Sequence, residues 1–161
     1  MRYTVDTTNI DDEALEDFKH AKIVYMITYG KDGETHSRPM TNFNEDPTHE
    51  IWFPSYRETQ KVLDIEENPE VALLYPGVKR DSFDEIQGKA SFADRQVVEE
   101  KWVWWYLYWH PEMKDYFWFD QTKDHPERVI INVKPNNIKK LDRRDIDWVE
   151  ETYSTVVLRK K

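Results

Sequence analysis

Arg38 stands directly before a proline in the run THSRPMT, Thr35 to Thr41, and a second cation, Lys61, closes the run PSYRETQK, Pro54 to Lys61. Between these cations Ser55 and Thr59 offer hydroxyls, and the chain around them reads as the first turn of a helix, where free N–H groups favour anions. A phosphate monoester carries roughly −1.5 to −2 charge and three strong acceptor oxygens, so it calls for about two cations and several donors. Arg38, Lys61, Ser55 and Thr59 together supply that chemistry. Each has a plainer reading when taken alone: Arg38 as an exposed strand-end arginine, Ser55 and Thr59 as ordinary helix caps. Pro39 lacks the backbone donor that a strand ladder uses, which predicts that the chain leaves regular pairing there.

Composition narrows the ways in which an anion could be held. The 161 residues include only four glycines, Gly30, Gly33, Gly77 and Gly88, so neither GxGxxG nor a P-loop can be written and side chains must do the holding. The formal net charge is −9, which argues against general attraction to nucleic acid or to an anionic membrane surface. Cysteine is absent, which excludes disulfides, thiolate catalysis and Cys-based metal sites. His20, His36, His49, His110 and His125 show no metal-ligand spacing and read as surface or loop residues, and no G-x-S-x-G marks a serine nucleophile. No stretch approaches the roughly 18 apolar residues of a membrane span, and the N-terminus lacks the order of a signal peptide, so the expected location is cytoplasmic.

The elements that must position these residues follow from periodicity, and the length suits one domain over residues 1–161. Residues 11–20 read as a short helix with an acidic start. Lys22 to Tyr29 reads as a strand, followed by turn chemistry at 30–33 and a second strand from Glu34. Glu50 to Phe53 forms a third strand ending at Pro54-Ser55. A helix over 57–68 places Val62, Leu63 and Ile65 on its apolar positions and stops at Asn68-Pro69. Val71 to Tyr75 is a buried strand, Glu85 to Ala93 another, and Arg128 to Val133 a further one that ends before Lys134-Pro135. Residues 95–109, RQVVEEKWVWWYLYW, form a second long helix with Val98, Trp102, Trp105, Tyr106 and Trp109 on one stripe. Trp104 and Tyr108 lie off that stripe, more aromatic surface than one small core absorbs, as at a subunit interface or a ligand-facing wall. Ile138, Leu141, Trp148 and the run Ser154 to Leu158 add one or two strands. Many strands joined by short turns and interrupted by two longer helices suggest a small barrel with attached helices.

The succession HSRPMT, WFPS, ETQKVLDIEENPEVALLY and IQGKA resembles the FMN-binding split-barrel proteins related to pyridoxamine 5'-phosphate oxidase, and among them the general stress protein branch. The similarity runs from about Ala21 to Trp109 and continues in VIINVKP; the K-x-x-x-I-E-x-N-P-x-V-A-L-L run beginning at Lys61 is its most specific part. The resemblance implies a mainly β fold with helices, a six-stranded split β-barrel, as a homodimer with FMN between the subunits. It places Arg38 and Lys61 on the FMN phosphate with Ser55 and Thr59 as hydroxyl donors. Pro39, Met40 and Thr41 fall along the isoalloxazine edge, and Trp52, Phe53 and Pro54 beside it.

The implied activity is that of an FMN-dependent oxidoreductase with a small-molecule substrate. The alternatives are a non-catalytic flavin-binding protein for storage or sensing, and a barrel using a deazaflavin or haem. Three departures separate the chain from the oxidases themselves. Gln60 stands where they often carry a second basic residue, Phe83 where they place a glutamine toward the flavin, and Leu141 to Asp145 only echoes their substrate-recognition segment.

Overall fold

Asp11 accepts a hydrogen bond from the Ala14 N–H and so caps the first helix, α1 (Asp12–His20), whose first turn is acidic and last turn basic, in keeping with the helix dipole. The computed structural model describes residues 10–31, 33–44, 47, 51–113, 126–150 and 156–160. After α1 come β1 (Ile23–Tyr29), β2 (Thr35–Thr41), β3 (Ile51–Tyr56), α2 (Gln60–Glu67), β4 (Glu70–Pro76), β5 (Phe83–Phe92), α3 (Arg95–Trp109), β6 (Arg128–Leu141), β7 (Ile146–Glu150) and β8 (Val156–Lys160).

Six of these strands form one antiparallel sheet in the order β2-β1-β4-β5-β6-β3, curled into a half-barrel; β7 and β8 form a separate ribbon. The hollow of the half-barrel is filled by Val24, Met26, Phe53, Leu73, Tyr75, Ile86, Ile131 and Ile138, into which α1 sets Ala14 and Phe18 and α2 sets Val62 and Ile65. The Tyr75 hydroxyl donates to the Ala14 carbonyl at 2.7 Å, so the one polar atom of a large buried ring is satisfied. On the other face Ile27, Ala72, Leu74 and Phe83 pack with Ile146 and Leu158 of the ribbon. β4 is therefore covered on both faces, which is why VALLY is apolar throughout instead of alternating. Lys140 ties α1 to the sheet, with its ammonium 2.6 Å from Asp17 and 2.9 Å from the buried Asp84.

Several elements run past the points where proline predicts a stop. Pairing of β2 with β1 continues through Pro39, opposite Tyr25, to Thr41. β3 likewise runs through Pro54 to Tyr56. Both are edge strands, so the side of each that faces away from its neighbour needs no donor. β6 continues through Pro135 to Leu141 because the register shifts there: Gln87 faces Asn137 while Gly88 faces Pro135, leaving Asn136 as the extra residue of a bulge. The second helix begins at Gln60, three residues later than its periodicity suggests, and Leu63 is exposed while Asp64 takes a buried place.

The bulge draws β6 so close to β5 that a Cβ on Gly88 would lie 2.5 Å from the Lys134 carbonyl oxygen, a contact between rigid backbones. Gly88→Ala is therefore expected to destabilise the fold by about 1–3 kcal/mol, the usual cost of overpacking, measured as a lowered denaturant midpoint. An unchanged midpoint would show that the bulge tolerates a wider spacing.

Candidate functional site

The two edge strands of the half-barrel meet at a cleft of roughly 280 Å³ lined by Pro39, Met40, Thr41 and Phe43 on one side, Phe53, Pro54, Ser55, Tyr56, Thr59 and Lys61 on another, and Trp102, Trp105 and Trp109 of α3. Asn44 holds the edges together. Its side-chain amide donates to the Trp52 carbonyl at 3.0 Å and its side-chain oxygen accepts from the Trp52 N–H at 3.1 Å. One side chain thus makes the two bonds that a neighbouring strand would make to β3, joining the segment after β2 to the far edge. Asn42 supports the same segment by donating to the carbonyls of Phe18 and Ala21 at the end of α1.

The floor of the cleft is the entry to α2. Thr59 occupies the cap position with extended backbone, yet its side chain makes no cap bond; its hydroxyl donates instead to the Tyr56 carbonyl at 2.8 Å. The first turn carries no acidic residue. The leading N–H groups of the helix therefore keep their partial positive charge without a side-chain acceptor. Ser55 is buried, with its Oγ 3.4 Å from that of Thr59. Lys61 lines the cleft half-buried and has no hydrogen-bond or ion-pair partner among the described residues. Burial, and after it the positive charge of Arg38, pull its ammonium below the usual lysine range.

Arg38 lies one step behind the lining. It pairs across β1 with Met26, so its side chain runs along the inner face, and its guanidinium donates to the Thr28 hydroxyl at 2.8 Å and to the Met26 carbonyl at 3.2 Å. Of the residues assigned to cofactor contact from the sequence, Pro39, Met40, Thr41, Phe53, Pro54, Ser55, Thr59 and Lys61 share this cleft, and Arg38 stands beside Lys61. Trp52 stacks on Phe43, 6.1 Å between ring centroids, under the ammonium of Lys101.

The departures from the oxidases also find places. Gln60 donates to Asp64 at 2.7 Å, and Phe83 is buried under the ribbon against Ile146 and Leu158. Arg143 to Asp145 form a single 3-10 turn in which the exposed Arg144 pairs with Asp142.

The stripe marked by periodicity lies on the cleft side of α3: Val98 and Trp102 are buried against Ile130, Trp105 packs on Trp102 at 5.0 Å, and Trp109 is half exposed at the cleft rim. Phe43 and Asp64 carry no such mark. Asp64 was hidden in an acidic run, although it lies three residues beyond Lys61 on the face marked by Val62 and Ile65. Among the described residues no group of three potential ligands is arranged for a metal; His49 and His125 lie outside those residues. No described helix is long and apolar enough to cross a membrane.

An ammonium whose pKa falls on folding costs stability while it stays charged. The cost is present at neutral pH and disappears as pH rises through the lowered pKa toward the ordinary lysine range. Lys61→Met is expected to raise the stability of the ligand-free protein at neutral pH by about 0.5 kcal/mol or more, with the gain fading at alkaline pH. If Lys61→Met instead proves less stable than the parent in urea unfolding at neutral pH, the ammonium is compensated.

Residues 11–144 match the family model described as pyridoxamine 5'-phosphate oxidase like. General stress protein 26 of Bacillus subtilis (strain 168) is 32% identical over 135 residues, covering 81% of this chain and 87% of that protein. The crystal structure of General Stress Protein 26 from Bacillus anthracis str. Sterne superposes with a TM-score of 0.55 at 27% identity, over 81% of this chain and 92% of that one. A pyridoxamine 5'-phosphate oxidase-related, FMN binding protein from Nostoc punctiforme PCC 73102 shares the fold, with a TM-score of 0.57 at 12% identity over 93% of each chain. The curled six-stranded sheet and the span of the match together place this chain in the pyridoxamine 5'-phosphate oxidase-like family.

Proposed function

We propose that the cleft binds FMN by its phosphate and ring edge, and that the protein is an FMN-dependent oxidoreductase acting on a small molecule. The observation that carries this reading is Lys61: a half-buried ammonium, without a partner among the described residues, at the uncapped start of a helix in a cleft whose other described lining residues are uncharged. Such a cation is costly unless an anion joins it. The donor set fits a phosphate monoester: Lys61, the Ser55 hydroxyl and the first-turn N–H groups of α2, with Arg38 adding a second positive field, while the proton of the Thr59 hydroxyl is already given to the Tyr56 carbonyl. The apolar stretch from Pro39 to Thr41, with Phe53 and Pro54, fits a flat heteroaromatic ring. The FMN-binding Nostoc relative, similar in fold alone, is consistent with this choice of ligand.

When bound, FMN supplies the hydride and electron transfer. The chain's part is to anchor the phosphate, to orient the ring against the edge strands, and to exclude water with Phe43, Trp105 and Trp109. Among the described residues the lining contains no carboxylate and no imidazole, so none of their side chains is placed there as a general acid or base of ordinary pKa. That feature also favours a second reading, a non-catalytic flavin holder; turnover of a nicotinamide reductant by the loaded protein separates the two. The cleft is slightly smaller than the roughly 300–1,000 Å³ of typical ligand sites, as expected where a second subunit completes it, and a homodimer belongs to the proposal.

Lys61→Ala is expected to weaken FMN by about 10- to 100-fold, the value of one charge-assisted hydrogen bond of roughly 1.5–3 kcal/mol, while riboflavin binding changes less than about 3-fold. Titration of both ligands by flavin fluorescence checks this. Equal losses for the two would remove Lys61 from the phosphate site and the reading with it.

A further inference from the structure

Arg38 does not float beside Lys61; it is joined by hydrogen bonds to a buried carboxylate. Asp64, on α2 and 3% exposed, accepts from the Thr28 hydroxyl at 2.6 Å and contacts His36 Nδ1 at 2.7 Å through one oxygen, and accepts from Gln60 at 2.7 Å through the other. These bonds hold the carboxyl below its usual pKa although burial alone would raise it, so it is ionised and can only accept. Thr28 has a single hydroxyl proton, which goes to Asp64. Its lone pairs are then what the Arg38 guanidinium meets at 2.8 Å, and the direction of every bond in the chain is fixed. A second guanidinium nitrogen lies 3.9 Å from Asp64 itself.

We infer that Asp64 is a positioning residue for the proposed phosphate site, fixing Arg38 beside Lys61 through the hydroxyl of Thr28. The inference rests on the FMN reading of the cleft and adds to it the group that makes two cations compatible in one corner. Like charges repel, and Arg38 lowers the pKa of Lys61. Without a counter-charge, a flexible guanidinium turns toward water and its field no longer adds to that of Lys61. Asp64, which is not part of the cleft lining, supplies that charge from behind. Gln60, where a basic residue would compete for Asp64, is neutral and donates to it instead.

The test compares FMN and riboflavin affinities in the parent, Asp64→Asn, Arg38→Ala and the double variant. In the parent background Asp64→Asn is expected to weaken FMN about 10-fold or more and riboflavin less than about 3-fold; in the Arg38→Ala background it should cost FMN less than about 2-fold, because the two act as one unit. Thr28→Val should reproduce the selective loss and Thr28→Ser should restore it, and this pair decides the matter if Asp64→Asn does not fold. Equal losses for both flavins, or a full Asp64→Asn effect without Arg38, would overturn the positioning role. A parent that prefers FMN, with that preference intact in Asp64→Asn and Thr28→Val, would overturn this inference alone. A parent with no preference for FMN over riboflavin would overturn the reading of the cleft and this inference with it.

Discussion

Two positive charges sharing one half-buried corner are the constraint around which this protein is arranged. Arg38 comes from the inner face of an edge strand and Lys61 from the first turn of α2, where burial and then the charge of Arg38 make the Lys61 charge harder to keep. A protein of marginal stability does not hold such a pair without compensation on at least one side. On the inner side the compensation is visible in the Asp64 network. On the cleft side the proposed compensation is a bound anion, which the Ser55 hydroxyl and the uncapped helix start favour.

The fold serves this corner by leaving its sheet open. A closed barrel would pair β2 with β3 and have no edge to spare. Here the two edges are held by one asparagine, Asn44, which takes both backbone groups of Trp52 and leaves Pro39 and Pro54 facing a common gap. Prolines suit that position because the side of an edge strand that faces no neighbouring strand loses nothing when its donors are removed. α3 then closes the third side with indoles, whose packing on Ile130 anchors the helix while Trp105 and Trp109 reach the cleft.

Much of this was legible in the amino-acid sequence, and what was not has identifiable causes. α3 occupies the residues that its periodicity marks, because a long amphipathic pattern with an Asp cap leaves little choice. Ser55, Thr59 and Lys61, which share the cleft, could be singled out because cations and hydroxyls near a helix start are a local signal. The edge strands ran longer than expected because proline forbids a central ladder, not an edge or a bulge, and which strand is an edge is a property of the whole sheet. Asp64 was invisible for a different reason: a carboxylate in an acidic helix reads as solvated, and only the strands packed on it supply the hydroxyl and imidazole that make its burial possible. Leu63, exposed one position earlier, is the same effect in reverse.

The claim on which the rest hangs is that the corner formed by Lys61 and Arg38 holds the phosphate of a flavin. The most direct measurement is the visible absorption spectrum of the purified protein, followed by denaturation and mass determination of whatever chromophore is released. The account predicts a two-banded flavin spectrum and a released species with the mass of FMN. A colourless protein that also fails to take up added FMN would contradict it, leaving the family and the half-barrel in place but the cleft assigned to another anion.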